Sequence, residues 1–237
     1  MIHSMTDIHQ HFLWGLDDGA SSRDVMESML REAHRQGIGS IAATSHAVPG
    51  FEPFDIGLYE ERLAQAQDFC DRENLNLMLI PGSEIAWTYQ TPMALRQRKI
   101  PALRGTDYVL LELWRDISWH TAAGVVNQLT RAGFCPVLAQ PERYLAFLLS
   151  PKKLLRFRNE TGALLQVNAQ TLVMPRNYLE RRLTDYLLKE GALDAVASDA
   201  HDCTNRPVNM EAAYQWLTVH TDETCAKSLT TFGGELI

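Results

Sequence analysis

The chain has 237 residues, of which 46% are hydrophobic and 22% are charged, and its formal net charge is -7. This composition is typical of a globular protein that buries a core without disulfide staples. The negative charge and the lack of a basic run argue against a dedicated nucleic-acid surface, although a few arginines or metal ions can still hold an anionic substrate.

The four cysteines show neither a disulfide framework nor a metal-binding motif. They lie too far apart for a C-x-x-C pair, which favours free thiols in a reducing compartment, and they are Cys70, Cys135, Cys203 and Cys225. The N-terminal stretch MIHSMTDIHQHF lacks the basic start and apolar run of a signal peptide. No apolar run approaches the roughly 18 residues that span a bilayer. The sequence therefore predicts a cytoplasmic protein without membrane insertion.

In chain order, the predicted elements begin with a strand over residues 6–9 and then repeat one arrangement of helix, glycine and apolar strand. The helices of this arrangement are predicted over 22–36, 118–132, 151–161 and 178–190, and they are followed by Gly37, Gly133, Gly162 and Gly191. A glycine just beyond a helix is a common stop, because it takes a positive φ at no steric cost. The strands that follow lack strict alternation, which indicates burial on both faces of a parallel sheet.

Weaker strands over residues 77–80 and 108–113 bring the predicted total to about seven. Strands that alternate with helices imply an α/β fold, closed as a barrel or open as a doubly wound sheet, and the pattern alone leaves both open. With no linker rich in glycine or serine, one domain is predicted over residues 1–237. Residues 46–57 and 86–106 are predicted as long loops, either surface connections or lids.

Imidazole and carboxylate side chains recur where the predicted strands end. The set comprises Asp7, His9, His11, Asp17, Asp18, His46, Glu84, Glu112, Asp199 and His201. Ligands of parallel α/β folds gather at the carboxyl ends of the strands, so these side chains are expected to face one region. Carboxylates at this density need cations beside them, and the mixture of nitrogen and oxygen donors predicts a metal site.

Each fragment of this pattern is weak by itself, and the joint pattern carries the prediction. His9 and His11 stand at i and i+2, so both imidazoles point to one face of a strand. The fragment DDG is equally a turn, and Glu84 after Pro-Gly-Ser is equally an acid at a helix start. Glu112 inside YVLLELW needs a partner if it is buried. The fragment SDAH, at the end of an apolar run, is the strongest of the set.

The chain resembles the PHP (polymerase and histidinol phosphatase) superfamily in fragments that occur in order: DIHQHFLWGLDDGA, AATSH, GSEI, LAQPERY and ASDAH, followed by RP. Within that superfamily it is most similar to the manganese-dependent protein tyrosine phosphatases of bacterial capsule and exopolysaccharide loci. The similarity extends from about residue 7 to residue 207. The DxHxH and GxDDGA opening, together with PERY, is specific to that branch.

The resemblance implies a distorted (β/α)7 TIM-like barrel with up to three divalent metal ions, manganese being the first choice and iron, zinc or magnesium the alternatives. It implies that the first ion is held by His9, His11, Glu84 and Asp199. Glu84 would bridge to a second ion, also bound by Glu112 and residue 140, and a third would be held by Asp18, His46 and His201. Arg143 in PERY and Arg206 before Pro207 would contact the substrate phosphate.

One position departs from the family pattern. The family fragment is LAHPERY, and Gln140 stands here in place of the histidine ligand. A neutral amide oxygen is a poorer donor to transition metals than an imidazole. The second ion is therefore expected to bind weakly or to be replaced by a harder ion or by water. This change affects the expected catalytic rate more than the fold.

The activity implied by the resemblance is hydrolysis of phosphotyrosine on a protein by a metal-bound hydroxide that attacks phosphorus in line. The other ions, with Arg143 and Arg206, would neutralise charge on the phosphoryl oxygens. The implied substrate protein is a bacterial tyrosine kinase of polysaccharide synthesis, and the oligomeric state is left open.

Two alternative functions stay open at this point. One is a phosphatase for a small phosphomonoester such as histidinol phosphate, and the other is a metal-binding regulatory protein whose turnover is weakened by Gln140. A cysteine-based phosphatase is unsupported, because no cysteine has the C-x5-R spacing. A serine hydrolase is equally unsupported, because G-x-S-x-G is absent.

Overall fold

In the computed structural model, residues 4–236 are described, and they contain nine strands that pair in parallel. The strands are β1 (Met5–Gln10), β2 (Ile38–Ala43), β3 (His46–Ala47), β4 (Met78–Pro81), β5 (Glu84–Ala86), β6 (Tyr108–Glu112), β7 (Cys135–Ala139), β8 (Leu164–Asn168) and β9 (Ala195–Ala197). The helices are α1 (Arg23–Arg35), α2 (Ile56–Arg72), α3 (Thr91–Arg96), α4 (Trp119–Arg131), α5 (Leu145–Leu148), α6 (Pro151–Thr161), α7 (Ala169–Val173), α8 (Tyr178–Lys189), α9 (Met210–His220) and α10 (Glu223–Leu236). Short 3₁₀ turns lie at Leu103–Gly105 and Pro141–Arg143.

The strands form two sheets, with the orders β1-β2-β4 and β3-β5-β6-β7-β8-β9. Two residues separate β2 from β3, and two separate β4 from β5, so the strands of the described residues follow seven paths. Main-chain hydrogen bonds from Asp199 N to His9 O (2.7 Å) and from His11 N to Ala200 O (2.9 Å) join β1 to the segment after β9. The parallel α/β class predicted from the sequence is confirmed.

Apolar side chains cover both faces of the strands. Leu110 and Val137 belong to a small cluster that is made almost entirely of strand residues. Their neighbours in the chain, Leu111 and Leu138, belong to a larger cluster that also includes helix residues such as Leu129. Successive strand residues point to opposite faces, so both faces being apolar explains why the sequence shows no alternation.

Serine caps begin two of the helices, and the predicted glycine stops follow four of them. Ser22 accepts a hydrogen bond from Val25 N (3.3 Å) at the start of α1, and Ser118 accepts one from Thr121 N (3.1 Å) at the start of α4. The four predicted stop glycines have positive φ, and they are Gly37, Gly133, Gly162 and Gly191. No helix in residues 4–236 combines the length and the apolar character that a membrane span requires.

The two stretches predicted as long loops contain regular structure. Residues 46–57 begin with β3 and reach the start of α2, and residues 86–106 contain α3 and a 3₁₀ turn. Pro92 lies in the first turn of α3, where its missing N–H leaves no hydrogen bond unmade. With six residues, α3 is too short for a helical period to be recognised in the sequence. The loop prediction is therefore confirmed for residues 48–55 and wrong for residues 91–96 and 103–105.

Candidate metal centre

The carboxyl ends of the strands bring imidazoles and carboxylates together in three overlapping groups. In each group, one ligand-type atom per residue lies within 4.8 Å of the others. The groups are His9, His11, Glu84 and Asp199, then His11, Asp18, His46 and His201, and then His46, Glu84 and Glu112. The structure thus assembles in one region each histidine and carboxylate that was predicted as a ligand, while their role as ligands stays a prediction.

The first group is the most buried. His9 Nε2 lies 3.1 Å from Glu84 Oε2 and 3.3 Å from Asp199 Oδ1. His11 Nε2 lies 3.3 Å and 3.6 Å from the same two oxygens. The four side chains are at most 4% exposed. Two imidazoles and two carboxylates in this arrangement are a donor set suited to a transition metal.

The second group opens towards solvent. Asp18 Oδ1 lies 3.2 Å from His46 Nε2 and 3.3 Å from His201 Nε2. The rings of His11 and His201 have centroids 4.0 Å apart. The Asp18 side chain is 64% exposed, whereas His201 is buried. A ligand held here would therefore lie nearer the surface than one held by the first group.

The third group is dominated by oxygen donors. Glu84, Glu112 and Gln140 line a cavity of about 460 Å³. Both side-chain polar atoms of Gln140 are buried, and neither makes a hydrogen bond to another described residue. His46 places Nδ1 at 3.2 Å from Glu84 Oε2, but its Nε2 is directed to Asp18. Apart from His46 Nδ1, the donors at this position are carboxylate and amide oxygens.

Several buried atoms of the site lie close to one another but make no hydrogen bond of normal geometry within the described part of the chain. They are Nε2 of His9, His11 and His201 and Oδ1 of Asp199, none of which makes a hydrogen bond of normal geometry. A buried polar atom without a partner is costly unless a ligand satisfies it. Since these are all ligand-type atoms of one cluster, the residues present fit divalent cations.

Neighbouring acceptors fix the orientation of the imidazoles. His9 Nδ1 lies 3.0 Å from Gln166 Oε1, and His11 Nδ1 lies 2.8 Å from Asp17 Oδ2. His201 Nδ1 faces a main-chain carbonyl at 2.9 Å. A proton on each Nδ1 leaves Nε2 for a metal, as is usual for histidine ligands. Gln166 was not predicted, because its only signal in the sequence is a polar residue inside an apolar strand.

Asp17 links the segments that carry the second group. Besides His11, it accepts hydrogen bonds from Gly19 N (3.0 Å) through Oδ1 and from His46 N (3.0 Å) through Oδ2. Burial would raise the pKa of Asp17, but the hydrogen bond with His11 outweighs burial and holds the pKa at about 2. The DDG fragment is therefore a turn, as one interpretation had it, and its two carboxylates face different partners.

Asp7 lies apart from the three groups found among the described residues. Its carboxylate accepts hydrogen bonds from Ser198 Oγ (2.5 Å) and Ser198 N (3.0 Å). Burial raises the pKa of Asp7 in spite of these bonds. The side chain ties β1 to the segment after β9, which is a structural role.

Opposite charges determine where protons sit in the first group. Burial would lower the pKa of His11, but the hydrogen bond to Asp17 and the close contact with the Glu84 carboxylate outweigh burial and raise it to about 10. The pKa of His9 is also raised, because the charges of Glu84 and Asp199 outweigh burial. Burial would raise the pKa of Glu84, but the imidazoles hold it well below its usual value. Protonated imidazoles thus neutralise the carboxylates where no cation does.

The carboxylate charges on the oxygen-rich side of the site, those of Glu84 and Glu112, are less completely neutralised. Burial, followed by the negative charge of Glu84, raises the pKa of Glu112 to about 7. Two carboxylates in one cavity disfavour each other's ionisation, and a cation between them removes this cost. The pair therefore also fits a cation, although with fewer nitrogen donors than the first group has.

The two predicted phosphate-binding arginines meet at one carboxylate. Arg143 Nη2 and Arg206 Nη2 donate to Asp199 Oδ2 at 2.9 Å and 2.7 Å. Both side chains are about one-third exposed and line the same cavity as Glu84 and Glu112. Their guanidinium groups are thus held beside the ligand cluster, where an anion in the cavity can reach them.

Two residues of the site have a left-handed backbone that non-glycine residues rarely adopt: Gln140 (φ 48) and Asp199 (φ 53). Tertiary hydrogen bonds hold both, from Gln140 N to Gln166 O (2.8 Å) and from Asp199 N to His9 O (2.7 Å). Strained backbone of this kind is typical of functional sites, where the surrounding structure over-determines it.

Comparison with known proteins places the chain among tyrosine phosphatases. A family model described as "Capsular polysaccharide synthesis, CpsB/CapC" matches residues 5–235. The chain is 31% identical over 209 residues to the tyrosine-protein phosphatase YwqE of Bacillus subtilis (strain 168), covering 88% of this chain and 82% of YwqE. It is 29% identical over 215 residues to the tyrosine-protein phosphatase CpsB of Streptococcus pneumoniae, covering 89% of this chain and 88% of CpsB.

The fold is also similar to a solved structure. This structure comes from crystals of YwqE from Bacillus subtilis and CpsB from Streptococcus pneumoniae, which are described as unique metal-dependent tyrosine phosphatases. The TM-score is 0.85 at 29% sequence identity, and the match covers 95% of this chain and 91% of the other. The similarity thus extends over the fold as a whole.

Proposed function

The chain belongs to the CpsB/CapC family of capsular polysaccharide synthesis, and on this premise we propose that it is a metal-dependent phosphatase that hydrolyses phosphotyrosine on a protein. The observation that carries the proposal is the cluster of ligand-type side chains beside two arginines that share Asp199. A cation site next to paired arginines is suited to binding a phosphoryl group and stabilising its charge.

The donor atoms support up to three cation positions. We propose that the first is held by His9, His11, Glu84 and Asp199, a second by Glu84, Glu112 and Gln140, and a third by Asp18, His46 and His201. Manganese is the proposed metal, because carboxylates dominate one side of the cluster and imidazoles the other. When bound, the ions supply Lewis acidity and a water of lowered pKa as the nucleophile.

Arg143 and Arg206 are proposed to bind the phosphoryl oxygens and stabilise their charge without help from a bound ion. Each guanidinium offers a planar fork of donors that matches two phosphoryl oxygens. Asp199 Oδ2 accepts from both Arg143 and Arg206, so both side chains are oriented towards the cavity before substrate arrives. Such preorganisation lowers the cost of stabilising charge in the transition state. A phenolate, with a pKa near 10, leaves more easily than an alkoxide, so tyrosine phosphate has the least need of an acid.

The same site is proposed to sit in a distorted (β/α)7 barrel that forms one domain. Support comes from the seven strand paths of the described residues and from the hydrogen bonds that join His9 and His11 to the segment after β9. In such a barrel, the carboxyl ends of all strands surround one opening, which is where the ligand-type side chains lie.

The protein substrate is proposed to be a tyrosine kinase of polysaccharide synthesis, in keeping with the family's description.

One observation favours a second function. The unpartnered amide of Gln140 is a weaker donor than the histidine of the family pattern, which would suit a metal-binding regulatory protein with little turnover.

Metal analysis combined with initial rates tests the proposal. The purified protein would be assayed for bound elements and then given a phosphotyrosine peptide or histidinol phosphate, with manganese, iron, zinc or magnesium added. We expect turnover of the peptide, abolished by a chelator and restored by metal. Background rates with every metal would overturn the proposal that the protein is a phosphatase. Faster turnover of histidinol phosphate than of the peptide would overturn the proposal that phosphotyrosine is its substrate.

A further inference from the structure

The cavity beside the candidate metal centre contains more arginine than the proposed reaction uses. Of the residues described, Arg115, Arg143, Arg176 and Arg206 line it together with Glu84 and Glu112. Arg143 and Arg206 are both paired with Asp199. Arg115 and Arg176 have no role in the proposed reaction.

Arg115 and Arg176 have exposed side chains, and their guanidinium groups make no ion pair or hydrogen bond with the side chains that the structure describes, those of residues 4–231. Their main chains, by contrast, are anchored. Arg176 N donates to Glu180 Oε2 at 2.7 Å, and Arg115 O accepts from Leu145 N at 3.0 Å. Each guanidinium group therefore extends from a hydrogen-bonded main chain and is available to a ligand.

The acids of this cavity are engaged elsewhere. Glu84 and Glu112 belong to the ligand cluster, and Glu180 accepts the main-chain N–H of Arg176. Glu142 is buried, which raises its pKa to about 7, and it accepts from Asn168 N at 2.9 Å. Neither Arg115 nor Arg176 thus forms an ion pair with an acid that lines this cavity, in a chain whose formal net charge is -7.

Exposed apolar side chains adjoin the same cavity along the chain. Trp114 is 55% exposed and stands next to Arg115, and Tyr178 is 74% exposed and stands two residues after Arg176. Leu149, 63% exposed, follows the lining residue Leu148. Exposed tryptophan, tyrosine and arginine together are typical of surfaces that bind another polypeptide.

We propose that Arg115 and Arg176 form a specificity site for a carboxylate side chain that lies next to the phosphotyrosine in the substrate protein. The inference rests on the proposed function, which places the phosphate against Arg143 and Arg206 in the same cavity. The flanking acid then meets the unpaired guanidinium groups, and the apolar rim contacts the peptide around it.

Two matched phosphotyrosine peptides test this, one with glutamate and one with glutamine at the positions that flank the tyrosine. We expect the intact protein to show about a tenfold higher kcat/KM for the glutamate peptide at low salt, since exposed ion pairs are modest in strength and screened by salt. In Arg115→Gln with Arg176→Gln, the ratio should fall towards one. Arg72→Gln, which removes an exposed arginine at the end of α2, should keep the ratio of the intact protein.

Fluorescence anisotropy with the same peptides measures the affinity ratio independently of turnover. A protein that binds the glutamate peptide better but turns over neither peptide would overturn the proposed function and support the specificity site. Equal kcat/KM and equal affinity for both peptides would overturn the site and leave the phosphatase intact. An unchanged ratio in the double variant, with a normal circular dichroism spectrum, would also overturn it.

Discussion

The two sides of the candidate metal centre differ in donor chemistry and in how completely their charges are compensated. One side combines four histidines with Asp18, Asp199 and Glu84, the last shared with the other side. Three of its imidazoles are oriented by Gln166, Asp17 and a main-chain carbonyl. The other side consists of Glu84, Glu112 and Gln140, and the amide of Gln140 has no partner among the described residues.

The position of a ligand-type side chain and the type of its donor atom therefore have separate origins. Both sides stand at the carboxyl ends of strands, so the fold supplies the positions. The oriented imidazoles favour a transition metal, whereas oxygen donors alone favour a harder ion such as Mg²⁺ or Mn²⁺. We therefore expect the histidine side to keep its metal and the oxygen side to vary in occupancy.

The largest effect is expected from breaking the histidine side. His9→Gln removes a buried nitrogen donor and should lower kcat by about a thousandfold, since the metal both activates water and polarises the phosphoryl group. Metal content per chain should fall in parallel. The control is His34→Gln, at an exposed position of α1, which should retain activity. Equal losses in the two variants would contradict the assignment.

The arginine pair should show the next largest effect. Arg206→Gln should reduce kcat/KM by about a hundredfold, the size found when one donor to a developing charge is removed. Because the variant retains the other arginine, some activity should persist. Steady-state kinetics with a phosphotyrosine peptide measures this, and a variant as active as the intact protein would exclude Arg206 from phosphate binding.

The orienting carboxylate tests the support of the histidine side. Asp17→Asn should weaken metal binding by about 10- to 100-fold, as is usual when the partner of a ligating histidine is changed. Metal titration followed by element analysis gives the affinity. Asp24→Asn, in the first turn of α1, is the matched control. If the two variants bind metal equally, Asp17 does not orient His11.

Metal binding to the histidine side should depend on pH in a defined direction. The raised pKa values of His9 and His11, the latter about 10, mean that an ion must displace protons below those values. Affinity should therefore rise as pH rises from 6 towards 9, by about tenfold per unit for each proton released. Calorimetry in buffers of different ionisation enthalpy counts the protons, and a pH-independent affinity would refute the linkage.

The smallest effect is expected on the oxygen side. Gln140→His restores a nitrogen donor and should raise the occupancy of the second ion, or the rate, several-fold. Occupancy is read from metal counts per chain with and without the substitution. No change in either quantity would count against the placement of Gln140 in this position.

Much of this site could be predicted from the sequence, and the limits have physical causes. Strand-end residues such as His9, His46 and Asp199 were predicted because parallel strands direct their carboxyl ends to one side of a fold. Gln166 was missed, because a single polar residue in an apolar strand has no local pattern. The loop predicted over residues 86–106 was wrong at α3, because six residues are too few to display a helical period.

The sequence alone predicts the parallel α/β class and the helix stops at glycine. It also predicts which side chains lie together at the strand ends. These depend on local rules of periodicity and backbone sterics, which a chain carries at each position. The tertiary structure is needed to show which imidazole faces which carboxylate. It also shows that Asp7 accepts hydrogen bonds from Ser198 and that Arg143 and Arg206 both pair with Asp199. Those pairings join residues far apart in the chain, and long-range packing is what brings such residues within hydrogen-bonding distance.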